Sequence, residues 1–219
     1  RCSRIADQSF WNIGISSAFA SFSRQKKICL PDGTMGYPRG IAELGAGWHT
    51  PNDTVDCIDP DNLLRDTKIL GEYVMTFLTE PVLPLYFKKT AEDIREQLNV
   101  WAKKAGTKLD LQESVARAEK LVEICNQFYQ AEIPVETRNE AILKLGRLLV
   151  PLDFTRGNPY GTEPADEIDP MPSLSPIRRL TEEGIDKQEQ LEIRLELVRA
   201  TNYVNHTLRE AVRLLQDTM

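Results

Sequence analysis

From about residue 86 to the end, apolar residues recur every three or four positions on a strongly charged background, a period that demands long amphipathic helices. The first is expected to carry Ile94, Leu98 and Trp101, behind a Thr90–Asp93 pair that resembles a capping box. A second runs from about Asp110 to Gln130, with Val115, Ala118, Leu121, Val122, Cys125 and Phe128 or Tyr129 on one face. A third covers about Glu136 to Val150 and presents Ile142, Leu145 and Leu149. The last spans about Asp186 to Gln216, with Leu191, Leu195, Val198, Leu208, Val212 and Leu215 as its stripe. Between the third and the last, Pro151, Pro159, Pro164, Pro170, Pro172 and Pro176 leave no place for a regular element. Four helices, one long connection, no strand signal and no fixed-period repeat read as a helical bundle.

The first 80 residues have a different character, rich in glycine, proline and turn residues. Ile13-Gly14-Ile15 and Ala18 to Ser23 read as the approach to a short strand and the strand itself. The glycines and prolines between Leu30 and Gly47 predict a long loop, of the kind that carries function or is disordered. A helix follows: Asp59 suits the N-cap, Pro60 the first helical position, and Asp61 the positive end of the dipole. Leu63, Leu70, Val74 and Phe77, with Leu64 and Leu78, form its stripe, and Pro81 and Pro84 end it. The domain expectation is therefore 1–82 and 83–219, in an α+β chain that is mostly α.

A net charge of −6 disfavours nucleic-acid partners, which select a basic face. No apolar run approaches the roughly 20 residues that span a bilayer. The chain opens at Arg1 without a signal-peptide pattern, and an apolar run from Phe10 to Ile15 reads as the inside of a folded domain. An upstream portion is expected. Cys2, Cys29, Cys57 and Cys125 offer no CxxC and no Cys/His cluster. Separate thiols and one disulfide are both compatible with that spacing.

One segment carries candidate chemistry: Gly47-Trp48-His49-Thr50-Pro51-Asn52-Asp53-Thr54-Val55-Asp56. It places His49 on a turn held by a capped helix, a common setting for functional side chains. A neutral imidazole there suits zinc, and Asp53 or Asp56 could orient it from behind. The same carboxylates serve equally well as turn and helix-start residues, with no metal at all.

Gly47 to Leu64 resembles the last metal-ligand motif of the zinc aminopeptidase family that includes glutamate carboxypeptidase II and the transferrin receptor, a His-Thr/Ser-x-x-Asp/Glu-Thr turn before an Asp-rich helix start. Ala6 to Ile15 (ADQSFWNIGI) resembles that family's Ser-Asp-x-x-x-Phe-x-x-x-Gly-Ile-Pro segment. Leu143 to Pro159 and Glu192 to Leu214 are similar, at pattern level, to the helices of its C-terminal dimerisation domain. The resemblance implies the C-terminal slice of an α/β zinc-peptidase domain, followed by a four-helix-bundle-like, transferrin receptor-like dimerisation domain.

The resemblance further implies a parent that holds two zinc ions and hydrolyses peptide bonds at a chain end. His49 matches the family's final metal-ligand His; the other ligands and the general-base Glu are expected upstream of Arg1. The 219-residue chain is then expected to be inactive alone and without its zinc pair. Asp7, Trp48 and Asp53 fall near the implied substrate pocket or behind the metal ligand. Gln8 stands where the family often has His or Tyr, and Trp48 where related carboxypeptidases often carry Tyr; the latter change removes a phenolic hydroxyl and puts acidic-residue specificity in question. Trp48 reads equally as pocket wall or core. His206 and the Glu182-Glu183 pair read as ordinary helix residues. The implied partners are the missing upstream part of the catalytic domain, a peptide substrate, and a second copy bound through the helical domain. Ile193, Leu197, Tyr203 and Leu214, off the main stripe of the last helix, suggest the surface for that second copy. A non-catalytic receptor or scaffold of the same fold is the competing reading, and an independent helical interaction module a third.

Overall fold

A computed structural model describes residues 6–15, 22, 27–36, 50–156 and 169–219. Their elements are β1 (Ile28–Cys29), β2 (Met35–Gly36), α1 (Pro60–Thr79), α2 (Phe87–Ala105), α3 (Gln112–Gln130), α4 (Val135–Phe154), α5 (Ile177–Leu180) and α6 (Lys187–Thr218), with short 3₁₀ segments at Ala6–Ile13, Val55–Cys57 and Pro172–Leu174. The chain is mostly α, with one small antiparallel pair that matches Ile28 with Gly36 and Cys29 with Met35. It divides into two compact units, Arg1–Ala18 with Pro81–Met219, and Phe19–Glu80.

In the first unit α3 packs between α2 and α6, and α4 lies against α6. Ile94, Leu98 and Trp101 of α2 meet Leu121, Ile124 and Phe128 of α3, Ile142, Leu145 and Leu149 of α4, and Val204, Leu208 and Leu215 of α6 in one core. The expected core faces of α2, α3 and α4 are the ones buried. Each of those large side chains, taken out of water, contributes roughly 1.5–3 kcal/mol, which supplies most of what opposes chain entropy.

Helix boundaries depart from expectation where tertiary contacts supply what local sequence does not. The Thr90–Asp93 capping box does not form, because α2 already begins at Phe87 behind Tyr86. A distant side chain does the capping. The Tyr129 hydroxyl accepts from the Phe87 N–H (2.9 Å) and donates to the Leu85 carbonyl (2.9 Å). Burial pushes its phenol up to about 12. Tyr129→Phe removes both bonds and leaves the buried Phe87 N–H unpaired, so a loss of about 1–3 kcal/mol in urea unfolding is expected. An unchanged unfolding midpoint would show that the hydroxyl caps nothing.

The described ends of the proline-rich connection, residues 151–156 and 169–176, hold regular structure that their composition does not suggest. α4 continues through Pro151 to Phe154, with Leu149, Val150, Leu152 and Asp153 all buried, so burial outweighs the backbone hydrogen bond the proline cannot donate. The Pro172–Leu174 and Ile177–Leu180 turns place Met171, Leu174, Ile177 and Leu180 in the core. Arg178 forms a two-pronged ion pair with Asp169 and stacks over Trp101, 5.6 Å from the ring centroid. Arg179 grips Glu189 with its Nε and Nη2 nitrogens (2.6 and 2.8 Å), tying α5 to the first turn of α6.

The amino half of α6 is rotated from the expected stripe. Its core row is Leu197, Val204, Leu208, Ala211 and Leu215, with Ile193, Tyr203 and Leu214 partly buried beside it. Leu197 is fully buried, whereas Leu191, Leu195 and Val198 are 63%, 53% and 50% exposed. The expected stripe joined two faces: from Val198 to Leu208 is ten residues, which at 100° each is not a whole number of turns. Of the off-stripe residues, Leu197 belongs wholly to the core, while Ile193, Tyr203 and Leu214 are packed against it and only partly covered.

At the other end of the chain, Ala6–Ile13 is a 3₁₀ helix, and Ile13-Gly14-Ile15, expected as the approach to a strand, forms its end and the turn that follows. It docks on α4: the Trp11 and Phe154 rings lie 4.4 Å apart between centroids. Gly14 follows at φ +80°, against the backbone of Arg147. Apart from Phe22, the expected strand from Ala18 to Ser23 lies outside the described residues.

Within Phe19–Glu80, the expected loop from Leu30 begins as the turn of the β1–β2 pair. Gly33 takes φ +82°, and one Asp32 carboxylate oxygen accepts from the Thr34 N–H (2.9 Å) and hydroxyl (2.7 Å). Those bonds hold the Asp32 carboxyl below its usual range. The predicted start of α1 is as expected, with Asp59 accepting from the N–H groups of Asp61 (3.0 Å) and Asn62 (3.1 Å) and Pro60 as the first helical residue. Its stripe is the departure: no residue of α1 is buried.

Candidate functional site

The turn ahead of α1 is built from successive short hydrogen bonds. Thr50 accepts from Asn52 N through its hydroxyl (3.2 Å) and from Asp53 N through its carbonyl (3.1 Å). Thr54 then accepts from Cys57 N (3.0 Å) and Val55 from Ile58 N (3.0 Å), forming the Val55–Cys57 3₁₀ turn. The Cys57 thiol reaches back to the Asn52 carbonyl at 3.5 Å. Asp59 closes the series as the cap of α1. From Thr50 to Asp59 the chain is therefore a run of locally satisfied turns anchored on a capped helix.

His49 and Trp48 lie outside the described residues. Asp53 lies exposed on the turn. Asp7 has its backbone in the Ala6–Ile13 segment and belongs to the unit of the helical bundle, whereas Asp53 belongs to Phe19–Glu80. The candidate residues are thus divided between the two units. Among the described residues no three His, Cys, Asp or Glu side chains form a group that could hold a metal ion.

No family model, curated protein or solved structure matches the chain.

The remaining candidate groups separate by burial. His206 is exposed on α6, its Nδ1 3.0 Å from an Arg209 guanidinium nitrogen. That contact accounts for the ring without a metal. Cys29 and Cys57 are free and exposed, and Cys125 is free and buried. Burial alone pushes the Cys125 thiol up to about 12, so at neutral pH it is a small apolar core residue rather than a nucleophile.

Sequence reasoning missed a groove of about 440 Å³ beside the amino half of α6, lined among others by Arg156, Glu192, Leu195, Glu196, Arg199 and Tyr203. Glu192 accepts from the Gln188 amide at 2.7 Å. Arg199 has no ion pair among the described residues. No sequence row marks the groove: of the exposed Gln188, Leu191, Leu195, Val198 and Asn202, which repeat at alternating spacings of three and four, only Leu195 lines it.

Proposed function

We propose that this chain is the C-terminal part of a zinc-dependent exopeptidase, contributing His49 as one metal ligand together with a helical assembly domain that pairs with a second copy. The observation that carries the reading is the segment from Gly47 to Leu64: its His-Thr-x-x-Asp-Thr turn resembles the family's last ligand motif, and its turn bonds lead directly into the Asp59 cap of α1. Exposure along α1 adds support. Leu63, Leu70, Val74 and Leu78 are apolar and uncovered, as befits a helix whose cover comes from the rest of a catalytic domain.

In the parent, a zinc pair held in part by His49 would supply Lewis-acid activation of water and of the scissile carbonyl, with carboxylates managing the proton. His49 would donate one imidazole nitrogen; a carboxylate such as Asp53 could fix its tautomer from behind. Asp7 and Trp48 are assigned to the pocket by the same resemblance. Catalytic zinc takes about three protein ligands per ion, and only His49 is a candidate here.

Metal analysis is the test. The protein extended upstream of Arg1 should carry two zinc ions per chain and cleave peptides from one end. The 219-residue chain alone should hold no zinc pair and cleave nothing. Stoichiometric zinc with peptidase activity in the 219-residue chain would overturn the placement of the missing ligands. An extended protein that folds without zinc would instead support the receptor or scaffold reading.

A further inference from the structure

We propose that the groove beside the amino half of α6 binds a small organic acid, a single carboxylate carried on an apolar body. Its described lining comes from Arg156, the Pro172–Ser173 turn and α6, all within the helical unit. None of it belongs to the Gly47–Leu64 segment, so the inference is independent of the metal reading.

Three observations carry it. A cavity of about 440 Å³ is of the size that small ligands fill, and Pro172, Leu195, Ala200 and Tyr203 give this one an apolar wall. A buried hydroxyl lies in the same wall: Ser173 is 8% exposed, and its Oγ has no hydrogen-bond partner. Thr201 is the other buried hydroxyl without a partner among the described residues, and it does not line the groove. Leaving such a group unpaired destabilises a fold, and a ligand oxygen that accepts from it removes that cost. Finally, Arg156 and Arg199 both line the groove, are exposed, and have no ion pair among the described residues. Arg178 and Arg179 of α5, by contrast, are each held by carboxylates.

Two guanidinium groups and a hydroxyl are all donors, and the head group that accepts from all of them is an oxyanion. The planar fork of arginine favours a carboxylate or phosphate, which offers two parallel acceptors, over a neutral carbonyl. Two glutamates in the same lining then limit the ligand's charge. Glu192 accepts from the Gln188 amide (2.7 Å) and stands seven residues from Arg199, roughly 10 Å along the helix. Glu196 is one turn from Arg199 and has no ion pair among the described residues, so it repels a second negative charge. One carboxylate is therefore favoured over a doubly charged phosphate. The body of the acid lies against Leu195, 53% exposed without it, and Tyr203.

Calorimetric titration of the metal-free 219-residue chain with phenylbutyrate, acetate and phenyl phosphate tests this. Phenylbutyrate should bind once per chain with a Kd below about 1 mM. Acetate, which has the head without the body, should bind at least about tenfold more weakly. Arg156→Gln and Arg199→Gln should each weaken phenylbutyrate roughly tenfold, and Glu196→Gln should tighten it about threefold. Ser173→Ala separates a binding role from a structural one. It should weaken the acid about fivefold and yet raise the melting temperature of the ligand-free chain by about 2–4 °C, because the unpaired hydroxyl is gone. Unchanged affinity in Ser173→Ala would remove the hydroxyl from the site and overturn the assignment. No binding of phenylbutyrate at about 10 mM, or binding indifferent to both arginine substitutions, overturns the proposal as a whole. Phenyl phosphate binding more tightly than phenylbutyrate would overturn the singly charged head. The readout involves no zinc, so its failure leaves the metal reading untouched, and absence of zinc from the extended protein leaves this one untouched.

Discussion

Gly14→Ala should release the opening segment from α4 and cost about 3–4 kcal/mol in equilibrium unfolding. Two effects combine. An L-residue at φ +80° is strained by roughly 1–2 kcal/mol. The added methyl would also sit 2.2 Å from the Arg147 Cα and 2.9 Å from its nitrogen. Both are backbone atoms of a helix, so no rotamer change relieves the overlap.

The segment must therefore move, and Trp11, only 9% exposed, moves with it. That sets a ceiling: the loss cannot exceed what docking residues 6–15 contributes, and α2 to α6 keep their own core. Red-shifted tryptophan emission and early proteolysis near residue 15 should accompany the lower unfolding midpoint. Gly146→Ala is the control, because its methyl meets the Phe87 ring edge at 3.0 Å and the Gly14 carbonyl at 3.3 Å, contacts that a shift of a few tenths of an ångström relieves. A cost near 1 kcal/mol is expected there. Equal losses for the two variants would refute the backbone-clash account.

His49→Ala in the upstream-extended protein should lower peptidase turnover on the order of 1,000-fold, with bound zinc reduced and the unfolding transition of the metal-free protein nearly unchanged. The sizes differ because the two roles do. A metal ligand acts on the transition state, where losing about 4 kcal/mol of charge stabilisation multiplies directly into rate. Folding of the neighbouring turn depends on Thr50, Thr54 and Asp59, whose bonds the substitution leaves in place. Full zinc content with unchanged turnover in the variant would remove His49 from the metal site.

What the sequence revealed depended on whether the cause was local. The cap of α1 was legible because Asp59 bonds to the next residues but one and two. The core faces of α2, α3 and α4 were legible because one period runs through each. The start of α2 was not, since its cap is the hydroxyl of Tyr129, 42 positions downstream of the N–H it serves. Pro151 gave the wrong end for α4 because its neighbours' burial outweighs one lost hydrogen bond. On α6, apolar residues occupy two faces, and periodicity alone could not say which faces the bundle. As for the candidate site, the Thr50–Asp59 turns agree with the reading of that segment, while His49 and Trp48 lie outside the described residues.

The docking of both chain segments on α4 has a topological consequence. Gly14 meets α4 at Arg147, and after the Phe19–Glu80 unit the returning chain is fastened at Asn139, which donates to the Pro81 carbonyl and accepts from the Leu83 N–H. Those two anchor points are about two turns apart, roughly 12 Å along one helix. The bundle therefore closes a loop whose ends it alone determines. Closure entropy grows only with the logarithm of loop length, about 0.6 kcal/mol per doubling. Through that term, residues 19–80 could be lengthened or cut back with little penalty to the bundle. α4 is in effect a clasp, and the segment it holds is free to diverge in length and chemistry while the fold that carries it stays the same.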